Sequence, residues 1–127
     1  MTIDKRALGL LLLRLGLGGV FLWFGVDKFI SPLNWIGWIP GWLSPLLPMS
    51  QYTFIYTLGV IEVITGVLVL VGYYTRIAAV VAGLQLLGII ISFGFNDIMI
   101  RDMGLLFLAA SIVLLGAGTF SLDRPSL

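Results

Sequence analysis

Histidine and cysteine are both missing from the chain. Zinc, copper, iron–sulfur and ordinary haem sites are built on imidazole or thiolate ligands, so any redox metal linked to this protein is expected to sit in a partner. Disulfides are excluded along with the cysteines. Charge is scarce as well: seven basic and six acidic side chains make up only 10% of the 127 residues, where a soluble domain carries about 25%. A water-soluble globule is thereby ruled out. The net charge of +1 gives neither a basic field for nucleic acid nor a polybasic tail for anionic lipid, and both partner classes are set aside. What is present is apolar: 60% hydrophobic residues and a mean hydropathy of +1.14. At about 20 apolar residues per crossing, this length holds four or five membrane-spanning helices once loops are counted. Residues 1–127 therefore read as one small integral membrane domain.

Four spans are expected, over residues 7–26, 52–71, 76–95 and 98–119. The first follows a polar tail with Lys5 and Arg6. It outruns the roughly 7 to 15 apolar residues of a signal peptide and continues through Phe21, Trp23 and Phe24, so it is expected to stay as a signal anchor. Ser50 is placed to cap the second span and Gly72 to stop it. Only residues 72–75, with Tyr73 and Tyr74 at their centre, separate the second from the third, which makes these two an antiparallel hairpin. The fold class is an all-α membrane protein with four transmembrane helices in an antiparallel bundle. Residues 31–51 differ in kind, holding Pro32, Pro40, Pro45 and Pro48 together with Trp35, Trp38 and Trp42. Proline at that density forbids one continuous helix, and tryptophan favours the headgroup level, so the segment reads as an interfacial flap. The tryptophans serve either as a membrane anchor or as a stacking platform for an aromatic ligand. Lys5, Arg6, Arg76 and Arg124 fall on the side of the termini, against Lys28 and Arg101 opposite. The positive-inside rule then places both termini in the cytoplasm and the flap outside it.

Ionisable groups within a span cost roughly 2.5 to 3.5 kcal/mol each at the bilayer centre and face a bundle interior or a cavity. Glu62 lies about 12 Å into the second span, with Gly59 and Gly66 on the same helix face, where a neighbour can approach closely. Gln85 sits at similar depth in the third span, and its amide is expected to bond the Glu62 carboxyl. Glu62 is then either a neutral acid that locks the bundle or a group that handles protons or a ligand. Arg14 either snorkels along the lipid face or points inward toward Glu62, since Gly18 and Gly25 share its face. Lys28 falls only about 40° off that face, giving one helix positive charge at two depths. At the outer surface Asp27 and Lys28 are expected to meet Asp97, Arg101 and Asp102. Asp97 and Arg101 stand at i, i+4 and suit a simple pair; a cation in the first turns opposes the helix dipole, so the other reading of Arg101 is a site for an anion or a partner. Serine and cysteine catalytic sets and phosphate loops are absent.

Leu13-Arg14-Leu15-Gly16, Phe24-Gly25-Val26-Asp27-Lys28-Phe29, Gly59-Val60-Ile61-Glu62 with Gly66, Gly72-Tyr73-Tyr74-Thr75-Arg76, and Arg101-Asp102 leading to Gly116-Ala117-Gly118-Thr119-Phe120-Ser121-Leu122-Asp123 follow one another along nearly the whole chain. This ordered set resembles the DoxX family of small four-helix membrane proteins. The resemblance implies a location in the cytoplasmic membrane of a prokaryote and an accessory role in a redox complex linked to quinone or to sulfur and thiol chemistry. It also implies membrane or soluble redox proteins as partners. Read with the charges, it makes Arg14, Lys28, Glu62, Gln85, Arg101 and Asp102 the candidate ligand-binding residues, with Trp35, Trp38 and Trp42 in the flap. No metal or covalent cofactor is expected, and the ligand expected at the intramembrane charges is either a quinone or a small sulfur anion. The alternatives are a non-enzymatic scaffold that docks partners through the flap, or a small-solute transporter that uses Glu62 and requires a homo-oligomer.

Overall fold

The structure, a computed structural model, describes residues 4–94 and 96–123. Among the described residues, five α-helices follow in chain order: α1 Lys5–Ile30, α2 Pro32–Ile36, α3 Gln51–Val71, α4 Thr75–Phe93 and α5 Asp97–Leu115, with a 3₁₀ turn at Ser44–Leu46 between α2 and α3. Helices α1, α3, α4 and α5 are long and apolar enough to cross a membrane. They form an antiparallel bundle in which α1 packs most closely on α3, and α4 on α5.

Local chemistry sets the helix ends. The Asp4 side chain accepts from the Arg6 N–H at 3.0 Å to start α1, Ser50 from Thr53 at 3.1 Å to start α3, and Asn96 from Met99 at 2.9 Å to start α5. Gly72 stops α3 in the left-handed region at φ +73°. Three expected span limits shift. α1 runs past residue 26 through Asp27 and Lys28, because both find partners within the protein and the break comes only at Ser31-Pro32. α5 ends at Leu115 rather than 119, where Gly116 turns to φ +82°. α4 ends at Phe93 before Gly94; Phe95, the expected end of that span, lies outside the described residues, as does Arg124, which contributed to the expected orientation.

The seam between α1 and α3 is made of glycine. A Cβ added at Gly18 would lie 2.9 Å from the Gly66 carbonyl oxygen, and one at Gly25 would lie 3.0 Å from that of Gly59. The two backbones touch there, as small residues permit in membranes. Leu17, Phe21, Val69, Ala82, Leu86 and Ile112 form the heart of the buried core. Large apolar side chains such as Leu12, Trp23, Ile64, Leu84, Ile91 and Phe107 point outward, the arrangement a lipid surroundings requires. Four spanning helices and this outward apolar coat make the protein an integral membrane protein.

Candidate functional site

Two buried cations lie on the α3-facing side of α1, roughly 21 Å apart along the axis: Arg14 and Lys28. They belong to opposite ends of the bundle and to different surroundings.

At one end Lys28 reaches Glu62. The Lys28 stem runs over Gly59, where an added Cβ would come within 3.2 Å of Lys28 Cβ, and Nζ then lies 2.9 Å from Glu62 Oε2. Both side chains are buried. Lys28 Nζ also stands 3.8 Å from the centre of the Trp35 ring. Trp35 in turn donates from Nε1 to Asp27 Oδ2 at 2.9 Å and sets its edge against Phe24, with ring centroids 5.4 Å apart. These contacts fix α2 to the last turns of α1 and fold the chain after it over the bundle.

Beneath that cover is a cavity of about 430 Å³ between the four long helices. Phe21, Phe24, Trp35, Trp38 and Phe54 give it aromatic walls, and Lys28, Glu62, Gln85, Ser92, Arg101 and Asp102 bring polar groups to it. Phe21 and Leu86 line the cavity and also belong to the core, so the core is its floor. Arg101 Nη2 lies 3.3 Å from the buried Asp102 Oδ1, and its guanidinium is 5.5 Å from the Phe24 ring. The cavity therefore holds two cations and two carboxylates, each cation matched to a carboxylate beside it.

Gln85 is the exception to this pairing. Its Oε1 and Nε2 are both shielded from solvent and have no hydrogen-bond partner among the described residues. A buried amide with both ends unmet costs free energy and marks a place where a ligand or water belongs.

Several sequence expectations change here. Gln85 shares the cavity with Glu62 but does not bond it; Lys28 takes the carboxylate because the glycine contact at Gly59 brings the lysine stem close. Arg101 pairs with its neighbour Asp102 and not with Asp97, whose side chain is not part of the cavity wall. Trp35 and Trp38 line the cavity, whereas Trp42 is 58% exposed and does not. Phe24 and Ser92 were not anticipated. Phe24 stands four residues before Lys28 on the same face of α1, a spacing that also fits plain core packing, and a lone serine in an apolar span carries no signal of its own.

Arg14 points the other way from Glu62. It is fully buried, donates from Nη2 to the Phe120 carbonyl, and leaves Nε and Nη1 without a partner among the described residues. The chain after α5 folds back over this end. The Leu122 and Asp123 N–H groups donate to the Val71 and Gly72 carbonyls at 3.2 and 2.7 Å, satisfying the end of α3. The Asp123 carboxylate accepts from the Tyr74 and Thr75 N–H groups at 2.7 and 2.9 Å. Tyr74 has φ +48° and its side chain caps nothing, so α4 takes its N-terminal cap from a residue 49 positions away.

A model of the DoxX family matches residues 9–95, more than half of the chain, and the chain belongs to that family. The matched stretch contains Arg14, Lys28, Trp35, Glu62 and Gln85; Arg101 and Asp102 lie beyond it. No curated protein and no solved structure matches the chain.

Proposed function

We propose that this DoxX-family membrane protein is an accessory subunit of a redox complex and that its cavity receives the ring of a quinone. Membership of the family supports a redox or thiol-oxidoreductase setting. The observation that carries the ligand is the cavity itself: aromatic walls, self-paired charges, and one buried amide without a partner. Charge balance favours one of the two ligand classes the sequence left open. A small sulfur anion needs a free cation, but Lys28 and Arg101 already have carboxylates beside them, and binding the anion would cost the desolvation of an extra charge. A neutral ring with carbonyl oxygens loses little by entering, and it meets Gln85 Nε2 as a donor.

A quinone bound there would carry two electrons and two protons between the membrane and a partner. The residues of this chain hold and orient it. Gln85 offers a donor and an acceptor at mid-depth, Trp35 and Trp38 stack and exclude water, and the Lys28 ammonium, bonded to Glu62, is a proton-bearing group at the cavity wall. We place the protein in the cytoplasmic membrane of a prokaryote with both termini inside, a reading supported by Lys5, Arg6 and Arg76 at the tail end. Its partners are membrane or soluble redox proteins that meet the cavity end.

The test is binding of a short-chain benzoquinone to the purified full chain in mild detergent, followed through quenching of tryptophan fluorescence. Wild type is expected to bind, with Gln85→Leu and Lys28→Met each weakening affinity by about tenfold, which is about 1.4 kcal/mol of lost hydrogen bonding. Unchanged affinity in both variants overturns the assignment.

A further inference from the structure

A second cleft, also of about 430 Å³, lies at the tail end between the start of α1 and the chain that follows α5. Arg6 and Arg76 both line it. Neither guanidinium has a hydrogen-bond or ion-pair partner among the described residues, in contrast to Lys28 and Arg101. Arg76 lies against Gly116, where an added Cβ would stand 3.1 Å from Nη2; glycine leaves the guanidinium room to rest on the backbone. Residues 116–119 form one wall, and the N–H groups of Ala117, Gly118 and Thr119 make no hydrogen bond among the described residues. The one carboxylate in the cleft, Asp123, is already committed to the Tyr74 and Thr75 N–H groups, with the Arg14 charge nearby. The cleft therefore has a surplus of positive charge and unmet donors.

From this geometry we infer that the cleft binds the phosphate headgroup of an anionic phospholipid. Guanidinium groups suit phosphate oxygens, and basic pockets between helix ends take acidic lipid headgroups. Two observations favour a lipid over a soluble anion. Leu10 and Leu115 continue the cleft as an apolar wall toward the span, where an acyl chain would lie. Tyr73 and Tyr74, both exposed, stand at the same end of the bundle and mark the headgroup level. The sequence has no polybasic run; folding brings together Arg6 and Arg76, which the chain separates by two spans.

Native mass spectrometry of the full chain, titrated with phosphatidylglycerol and phosphatidylcholine, tests this. Wild type is expected to retain phosphatidylglycerol preferentially. Arg6→Gln and Arg76→Gln each lower that preference about fivefold, at about 1 kcal/mol per basic group near an anionic surface. Arg101→Gln, at the other end, leaves it unchanged, and millimolar inorganic phosphate does not displace the lipid. If a glutamine variant loses its helical circular dichroism, Arg6→Lys with Arg76→Lys replaces it and is expected to keep the preference for the anionic lipid while losing part of the affinity. Equal retention of both lipids by wild type, an equal drop in Arg101→Gln, or displacement by free phosphate overturns the inference.

Discussion

The two ends of the bundle hold buried charge in opposite ways. At the cavity end, Lys28 and Glu62 face each other across a space that also contains Arg101, Asp102 and the unmet Gln85. At the tail end, Arg14 is covered by the chain after α5, and Asp123 closes two helix termini at once. Arg14 and Asp123 at the tail end serve to cover and join helix ends, leaving only Arg6 and Arg76 free at the surface cleft among the described residues, while Lys28 and Glu62 at the cavity end face a volume between the helices that no side chain fills. Burial of a charge in a membrane protein therefore does not by itself mark function. Room beside the buried charge distinguishes the Lys28–Glu62 pair from Arg14.

The largest effect is expected from breaking the pair at the cavity end. Glu62→Ala leaves the buried Lys28 ammonium without its partner and should cost about 3 to 5 kcal/mol, read as a lowered midpoint of thermal unfolding in detergent. The double variant Lys28→Met with Glu62→Leu removes both charges and is expected to recover most of that loss. Recovery of stability without recovery of quinone affinity assigns the pair to the ligand; a double variant as unstable as Glu62→Ala would make the pair a structural lock like the tail.

Glycine substitutions sharpen the same contrast at smaller magnitude. Gly72 has φ +73°, and an added Cβ would run into Arg14 Nη1 and Ser121 Cβ. Gly72→Ala should therefore cost about 2 to 4 kcal/mol, from left-handed strain and collision together, and should speed proteolysis after α5. Gly88 lines the cavity and has nothing within 4 Å of an added Cβ. Gly88→Ala is expected to leave unfolding unchanged or to raise stability by up to about 1 kcal/mol, because alanine is the better helix former. A destabilised Gly88→Ala would mean that the cavity is packed more tightly than its geometry allows.

The contrast was only partly legible in the sequence. Helix ends were readable because their signals are local: Ser50 caps α3 and Gly72 stops it as their residue types dictate. The depth of Glu62 and Gln85 was readable from helix rise, and both do reach one cavity. The aim of Arg14 was not. It depends on Phe120 and Asp123 folding back from beyond α5, and no spacing in the sequence encodes a contact between residues so far apart. The Lys28–Glu62 pair was hidden for another reason. Helix rise puts Glu62 about 12 Å into its span while Lys28 reads as an outer-surface residue, and the step between them is spanned by the lysine stem lying in the space that Gly59 leaves open.

Asp123 offers the mildest probe, and it isolates the tail end. Partial burial pushes the Asp123 pKa up, but hydrogen bonds from Thr75 and Tyr74 and the Arg14 charge outweigh this and hold the carboxyl below the usual range. A group with a depressed folded pKa stabilises the fold fully above its unfolded value and loses that contribution as pH falls through the folded one. The tail should therefore loosen progressively below about pH 4, the ordinary carboxylate range. In Asp123→Asn the amide retains one acceptor oxygen for the two N–H groups and no charge for Arg14, so the variant should start less stable at neutral pH and change less on acidification. Unfolding midpoints for the two proteins between pH 7 and pH 3 are expected to converge at the acid end. Parallel curves would mean that Asp123 holds the helix ends through shape alone, and that the tail end owes its closure to the backbone bonds of Leu122 and Asp123 rather than to charge.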